Sequence, residues 1–270
     1  MLPNFLIIGA SRCGTTWMAN NIKLHPDVYM PSRKELHFFD TDYDKGWDYY
    51  EGFFPDEKCA RYSAIGEATP AYLYMPQVPR LIKSRLPDVK MIVSLRNPID
   101  RAYSHYWNLY AAAPEGHINK RLSFEEKLDL TPRLIEEGYY DRKLSNYYAL
   151  FPKEDILVII FEEMMADQAR HFRRIYEFLD IDPGVVPPLL DVRINAAASK
   201  LGRSRVLDLT YKALYRWVRV PSLSRRVDNI NAKKLPEMSA ATRDNLRQKF
   251  APSAANLERM LDRNINAWGL

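Results

Sequence analysis

The run Gly9-Ala10-Ser11-Arg12-Cys13-Gly14-Thr15-Thr16 follows the apolar stretch Phe5-Leu6-Ile7-Ile8. A buried strand, a glycine-framed turn and a helix start in that order have the spacing of a phosphate-binding loop. Backbone N–H groups at such a helix start can cradle a phosphate, helped by the positive end of the helix dipole. A nucleotide kinase would carry lysine where Thr15 stands, whereas here the basic group is Arg12, three residues earlier. Nucleoside triphosphatases of this design also hold Mg²⁺ partly through an aspartate at the end of a neighbouring strand. The run Lys90-Met91-Ile92-Val93-Ser94-Leu95 delivers Arg96 at that point instead. A guanidinium repels a metal ion but grips a phosphate through two parallel hydrogen bonds. These residues therefore suit the transfer of a group less charged than a terminal phosphoryl, with fixed cations and amide donors stabilising the reaction.

The elements that must position them are readable as strand and helix units. Phe5 to Gly9 is a short buried strand, and Thr16 to Leu24 a helix that stops before His25-Pro26. After the strand ending at Leu95, Pro98 is placed to open a helix running through Tyr110. Ile156 to Phe161 is a third strand, followed by an amphipathic helix with Phe172, Ile175, Tyr176 and Leu179 on one face. Ser123 with Glu126 has capping-box spacing. Strands alternating with helices predict an α/β fold, a P-loop-type parallel sheet flanked by helices on both faces. Past Pro188 the pattern changes to a polar loop from Arg193 to Arg205, helical sequence to Val218, a basic segment (Arg225, Arg226, Lys233, Lys234) and two short C-terminal helices. The expected organisation is one domain over residues 1–270, with a helical tail from about residue 206.

At 270 residues and 47% hydrophobic content the chain can bury a sizeable core. A net charge of +5 favours an anionic ligand but lacks the dense basic stripes of a nucleic-acid binder. Cys13 and Cys59 are too few for a disulfide framework, and no Cys/His cluster suggests a zinc site. Met1-Leu2-Pro3-Asn4 leads straight into apolar sequence without a basic start or cleavage site, and no apolar window approaches the ~20 residues a bilayer demands. The expectation is a cytoplasmic protein without a transmembrane segment.

The loop from Ser11 to Trp17, together with Leu95-Arg96-Asn97-Pro98-Ile99-Asp100-Arg101-Ala102-Tyr103-Ser104-His105-Tyr106, closely resembles the two signatures by which sulfotransferases bind 3′-phosphoadenosine 5′-phosphosulfate (PAPS). Glu35-Leu36-His37-Phe38-Phe39 and Gly66-Glu67-Ala68-Thr69-Pro70-Ala71-Tyr72 further resemble the glycosaminoglycan and bacterial carbohydrate branch. The resemblance covers residues 5 to about 205 and implies the sulfotransferase fold.

The resemblance implies that the amides of Cys13, Gly14, Thr15 and Thr16 and both threonine hydroxyls hold the 5′-phosphosulfate, with Trp17 closing the motif. It puts Arg12 where a lysine usually meets the oxygen bridging sulfur and phosphorus; arginine donates hydrogen bonds there but never a proton. Arg96 and Ser104 take the 3′-phosphate positions. The segment Ser199-Lys200-Leu201-Gly202-Arg203 closes over the nucleotide, with Lys200, Gly202 and Arg203 as contacts. Glu35 becomes the general base and His37 its rival. Glu67 orients the acceptor or pairs with Arg12. Ala68 stands where glycosaminoglycan enzymes often carry a catalytic lysine. PAPS would be the sulfuryl donor, adenosine 3′,5′-bisphosphate the product, and no metal is required. The acceptor would be a small molecule, carbohydrate or glycolipid, sulfated on oxygen or nitrogen. Two alternatives stand beside this reading, a small-molecule kinase on the same fold and a nucleotide-binding protein without turnover.

Overall fold

Five short strands, β1 (Phe5–Gly9), β2 (Val28–Tyr29), β3 (Ala64–Ala68), β4 (Lys90–Leu95) and β5 (Ile156–Ile160), form one sheet in the order β2-β3-β1-β4-β5. Every pairing is parallel. The structure is a computed structural model and describes residues 1–190 and 236–270. The expected contacts Lys200, Gly202 and Arg203, the helical sequence to Val218 and the basic segment from Arg225 lie outside the described residues.

The helices are α1 (Thr15–Ile22), α2 (Trp47–Glu51), α3 (Asp56–Cys59), α4 (Val78–Arg85), α5 (Pro98–Ala112), α6 (Phe124–Leu130), α7 (Arg133–Glu136), α8 (Tyr140–Tyr148), α9 (Phe161–Ala166), α10 (Gln168–Phe178) and α11 (Ala240–Leu261). Pro98 opens α5 as expected, where its missing N–H costs nothing, and the Asn97 side chain caps the helix by accepting from the Ile99 amide at 3.0 Å. The Ser123–Glu126 capping box forms in both directions at the start of α6.

Side chains alternate across the sheet, so β1 sends Leu6 and Ile8 to one core and Phe5 and Ile7 to the other. The first core is closed by α4, α8 and a cluster of rings that includes Phe38, Phe39, Tyr50, Phe54 and Tyr72. The second is closed by Trp17 and Met18 of α1 and by Phe172, Ile175 and Tyr176 of α10. All five β1 residues are buried, and each of its four large apolar side chains gains about 1.5–3 kcal/mol on burial. The central strand is thus a rigid mount for the loop that leaves it.

Two parts of the fold depart from the expectation. Ala64–Ala68 is a strand, although Gly66 and Glu67 break its apolar pattern; Gly66 is needed because a Cβ there would lie 2.5 Å from the Phe5 ring. Among the described residues the tail holds one α-helix of 22 residues where two short ones were expected, and α11 runs on through Pro252. Packing outweighs the lost hydrogen bond: Leu246 and Phe250 pack with Ile99 and Ala102 of α5, and Leu257 joins Tyr140 and Leu144 of α8.

Beyond α11, Trp268 donates its indole N–H to Glu162 at 3.0 Å, and its carbonyl accepts from the Asn97 side chain at 2.9 Å. The C-terminal residues therefore brace the turn after β4.

Candidate active site

The chain runs from β1 outward to β2 and β3 and then crosses back to β4, so the strand order reverses beside β1. A crevice at the carboxyl ends of the strands is where such sheets bind ligands. The loop after β1, Glu67 to Thr69 at the end of β3, Arg96 after β4 and Phe161 after β5 all meet at that end.

Three contacts pin the loop. The Ala10 amide donates to the Ser94 carbonyl at 2.8 Å, the Ser94 hydroxyl donates to the Cys13 carbonyl at 2.7 Å, and the Ser11 amide donates to the Tyr74 hydroxyl at 2.9 Å. Arg12 and Gly14 adopt left-handed conformations, with φ of 70° and 77°. A Cβ on Gly14 would fall 2.5 Å from the Phe161 ring. Gly14→Ala should therefore weaken bisphosphate binding by about ten- to a hundredfold, reading a local strain of about 1–3 kcal/mol as lost affinity; calorimetric titration checks it.

The Cys13 amide is drawn into a turn to the Ala10 carbonyl at 3.3 Å. The amides of Gly14, Thr15 and Thr16 meet no protein acceptor among the described residues. Helix α1 has no side-chain cap and no acid in its first turn. Uncapped donors at a positive helix end suit an anion.

The Cys13 thiol is fully buried beside the Tyr140 hydroxyl, and burial pushes its pKa up to about 11, so it is no nucleophile at neutral pH. Trp17 corrects an expectation: its side chain is 5% exposed, packs edge-on against Phe172 and donates to the Leu189 carbonyl at 3.1 Å. Its indole belongs to the core and offers the anion nothing.

Arg12 turns toward α5 rather than over the mouth of the loop. Its Nε donates to the Ser104 hydroxyl and its Nη1 to Asn108 Oδ1, both at 3.3 Å. Burial holds its pKa below the usual arginine value, with the charge of Arg96 as the next cause. Arg96 lies over the Phe161 ring at 5.4 Å, and Tyr140 ties its carbonyl at 2.9 Å. Among the described residues neither arginine has a carboxylate partner. Two neighbouring guanidiniums without counter-charge, next to an uncapped helix start, fit a ligand with two anionic groups. PAPS has that character, and Arg12, Arg96, Ser104 and the three free amides would hold it.

Glu35 and His37, the two candidate bases, lie side by side. Both have left-handed backbones, with φ of 58° and 57°, a conformation costly for residues other than glycine and often found at functional sites. The Glu35 amide donates to the Ala68 carbonyl at 3.2 Å. His37 Nδ1 meets Asp40 at 2.9 Å, leaving Nε2 3.6 Å from Glu35. Glu35 Oε1 accepts from Lys34 Nζ at 2.5 Å, and the same ammonium donates to the Thr16 hydroxyl at 2.6 Å. One side chain thus links the helix start to the candidate base.

Glu67 also corrects an expectation, because it meets neither Arg12 nor open solvent. It is 2% exposed and accepts from Thr69 at 2.6 Å, Tyr72 at 2.8 Å and Tyr50 at 3.1 Å; burial raises its pKa despite these bonds. Tyr72 and Thr69 in turn accept from the amides of Phe38 at 3.0 Å and His37 at 3.5 Å. Glu67 therefore holds the segment that carries Glu35 and His37, and its role is positional. Of the aromatic side chains near this end of the sheet, Tyr50, Tyr72, Tyr74 and Tyr140 are buried in the core, while Trp47 and Tyr49 lie nearer the surface.

Parallel topology, a strand-end anion loop and an arginine where a metal-binding aspartate would stand define a nucleotide-anion-binding α/β protein distinct from the Mg²⁺-dependent triphosphatases. The sulfotransferase domain model matches residues 2–198, and the chain belongs to that family. It is 32% identical over 182 residues to heparan sulfate glucosamine 3-O-sulfotransferase 6 of Mus musculus, covering 66% of this chain and 52% of that protein. Identity is also 32% over 197 residues to bifunctional heparan sulfate N-deacetylase/N-sulfotransferase 2 of Homo sapiens, covering 67% and 22% respectively. The chain thus spans about half the length of the first relative and about a fifth of the second. The crystal structure of a sulfotransferase from Alicyclobacillus acidocaldarius superposes over 100% of both chains with a TM-score of 0.70 at 26% identity.

Proposed function

We propose that the protein transfers a sulfuryl group from PAPS to a hydroxyl or amine of a carbohydrate acceptor. The observation that carries this reading is the pair Arg12 and Arg96, without carboxylate partners among the described residues, beside an uncapped helix start that faces Glu35. When bound, PAPS supplies an electrophilic sulfur and a stable bisphosphate leaving group. The amides of Gly14, Thr15 and Thr16 take the 5′ end. Arg96 and Ser104 take the 3′-phosphate, and Arg12, reaching Ser104, adds a permanent positive charge between the two. Glu35 accepts the acceptor's proton as the acceptor atom displaces the bisphosphate from sulfur in line. The carbohydrate class is supported by the two relatives named for heparan sulfate. A reducing compartment such as the cytoplasm is supported by two buried free cysteines. No helix among the described residues is long and apolar enough to cross a membrane.

Incubation with ³⁵S-labelled PAPS and a panel of desulfated heparan oligosaccharides, a glycolipid and a phenol tests the reading. Label should pass to a carbohydrate. Label on the phenol alone would overturn the carbohydrate class, and bisphosphate binding with no labelled product would favour a protein without turnover.

A further inference from the structure

Lys34 is an exposed residue by composition, yet its ammonium is placed between the helix start and the candidate base. It donates to Thr16 Oγ1 at 2.6 Å and to Glu35 Oε1 at 2.5 Å. A surface ion pair between adjacent residues is worth little by itself. Here the pair is fixed from outside, because the Glu35 amide is bonded to the Ala68 carbonyl and the His37 amide to Thr69. Arg12, the basic residue of the loop, is drawn away to Ser104 and Asn108. The Thr16 end of the site is thus served by Lys34. The Lys34 stem also borders a small cavity of about 60 Å³, lined in addition by Asn20, Lys23, Arg33 and Ala68.

We propose that Lys34 is a catalytic residue: its ammonium contacts the sulfuryl group held at the start of α1 and, through its bond to Glu35, aims the base at the acceptor. The proposal rests on the sulfuryl-transfer reading above. In the step, the bond from sulfur to the phosphate oxygen breaks with its electron pair going to the bisphosphate. The new bond forms from the acceptor atom, whose proton goes to Glu35. Lys34 keeps its protons and offsets the negative charge on the sulfuryl and bridging oxygens, where a fixed donor acts most strongly.

The test compares wild type, Lys34→Met and Lys34→Arg by titration with adenosine 3′,5′-bisphosphate and with PAPS, which differ only by the sulfuryl group. Lys34→Met should bind the bisphosphate like wild type but PAPS about tenfold more weakly, and turn PAPS over about a hundredfold more slowly. Lys34→Arg should recover most of both losses. Equal affinity of wild type and Lys34→Met for PAPS would reduce Lys34 to a surface pair. A matched loss for both nucleotides would show that it only shapes the loop, and either result overturns the proposal. If wild type itself ignores the bisphosphate, the sulfuryl-transfer reading fails first.

Discussion

Glu35→Gln lowers the turnover number for sulfuryl transfer by about 10²–10⁴-fold, the usual worth of a general base, while bisphosphate affinity and the unfolding midpoint stay at wild-type values. Glutamine keeps an oxygen that can accept from Lys34 Nζ, so the link to Thr16 survives. It loses only the capacity to take a proton. The side chain is 38% exposed, so the change is not a core substitution. His37→Gln should cost less, because His37 Nδ1 is held by Asp40 and its Nε2 faces Glu35. Steady-state kinetics of both variants decide the assignment. Full activity in Glu35→Gln with collapse in His37→Gln would move the base to His37.

Arg101→Met is expected to cost about 3–5 kcal/mol of folding stability, the penalty for removing one partner of a buried ion pair. Arg101 is fully buried in α5, three residues before Ser104, and donates to Glu137 at 2.9 Å and to the Leu134 carbonyl. Glu137 also meets His105 at 3.3 Å and the side chain of Arg133. Burial would raise the Glu137 pKa, but the His105 hydrogen bond and the Arg101 charge outweigh it, and the pKa lies below the ordinary value.

A carboxylate depressed in the folded state adds stability above its unfolded pKa of about 4.3 and loses it as pH falls through the folded value. Urea unfolding from pH 7 down to pH 3 should therefore show an acid loss that is smaller in Glu137→Gln. In Arg101→Met the loss should shrink, because without the guanidinium charge the folded Glu137 pKa moves back up toward its unfolded value. A cost below about 1 kcal/mol at pH 7 would mean that the apolar replacement compensates the pair, as some buried pairs allow.

Much of this architecture is legible in the chain because it is local. The strands at Phe5, Lys90 and Ile156 are apolar runs closed by turn residues, and the helix after Pro98 announces itself by its first residue. The strand Ala64–Ala68 is not legible, since its buried glutamate is satisfied by hydroxyls from Thr69, Tyr72 and Tyr50, a convergence that only the fold reveals. The same holds for Lys34. Its neighbour Glu35 suggests an ordinary ion pair, and only the fold brings Thr16, 18 residues earlier, to the same ammonium. Arg12 is legible as a basic residue of the loop, but its direction depends on Ser104 and Asn108, more than 90 residues away. Trp17 looked like part of the anion motif because its neighbours are, yet a large ring on the inner face of an amphipathic helix is claimed by the core. Trp268 had no signal, because its partners Asn97 and Glu162 belong to two other strand ends.

The most direct test of the central claim is calorimetric titration of the protein with adenosine 3′,5′-bisphosphate in EDTA and, separately, with ATP and Mg²⁺, with Arg96→Ala as control. The site predicts metal-free binding of the bisphosphate, weakened about a hundredfold or more in Arg96→Ala, as removal of a charge-assisted bidentate contact implies. Preference for Mg·ATP, unaffected by the substitution, would contradict it.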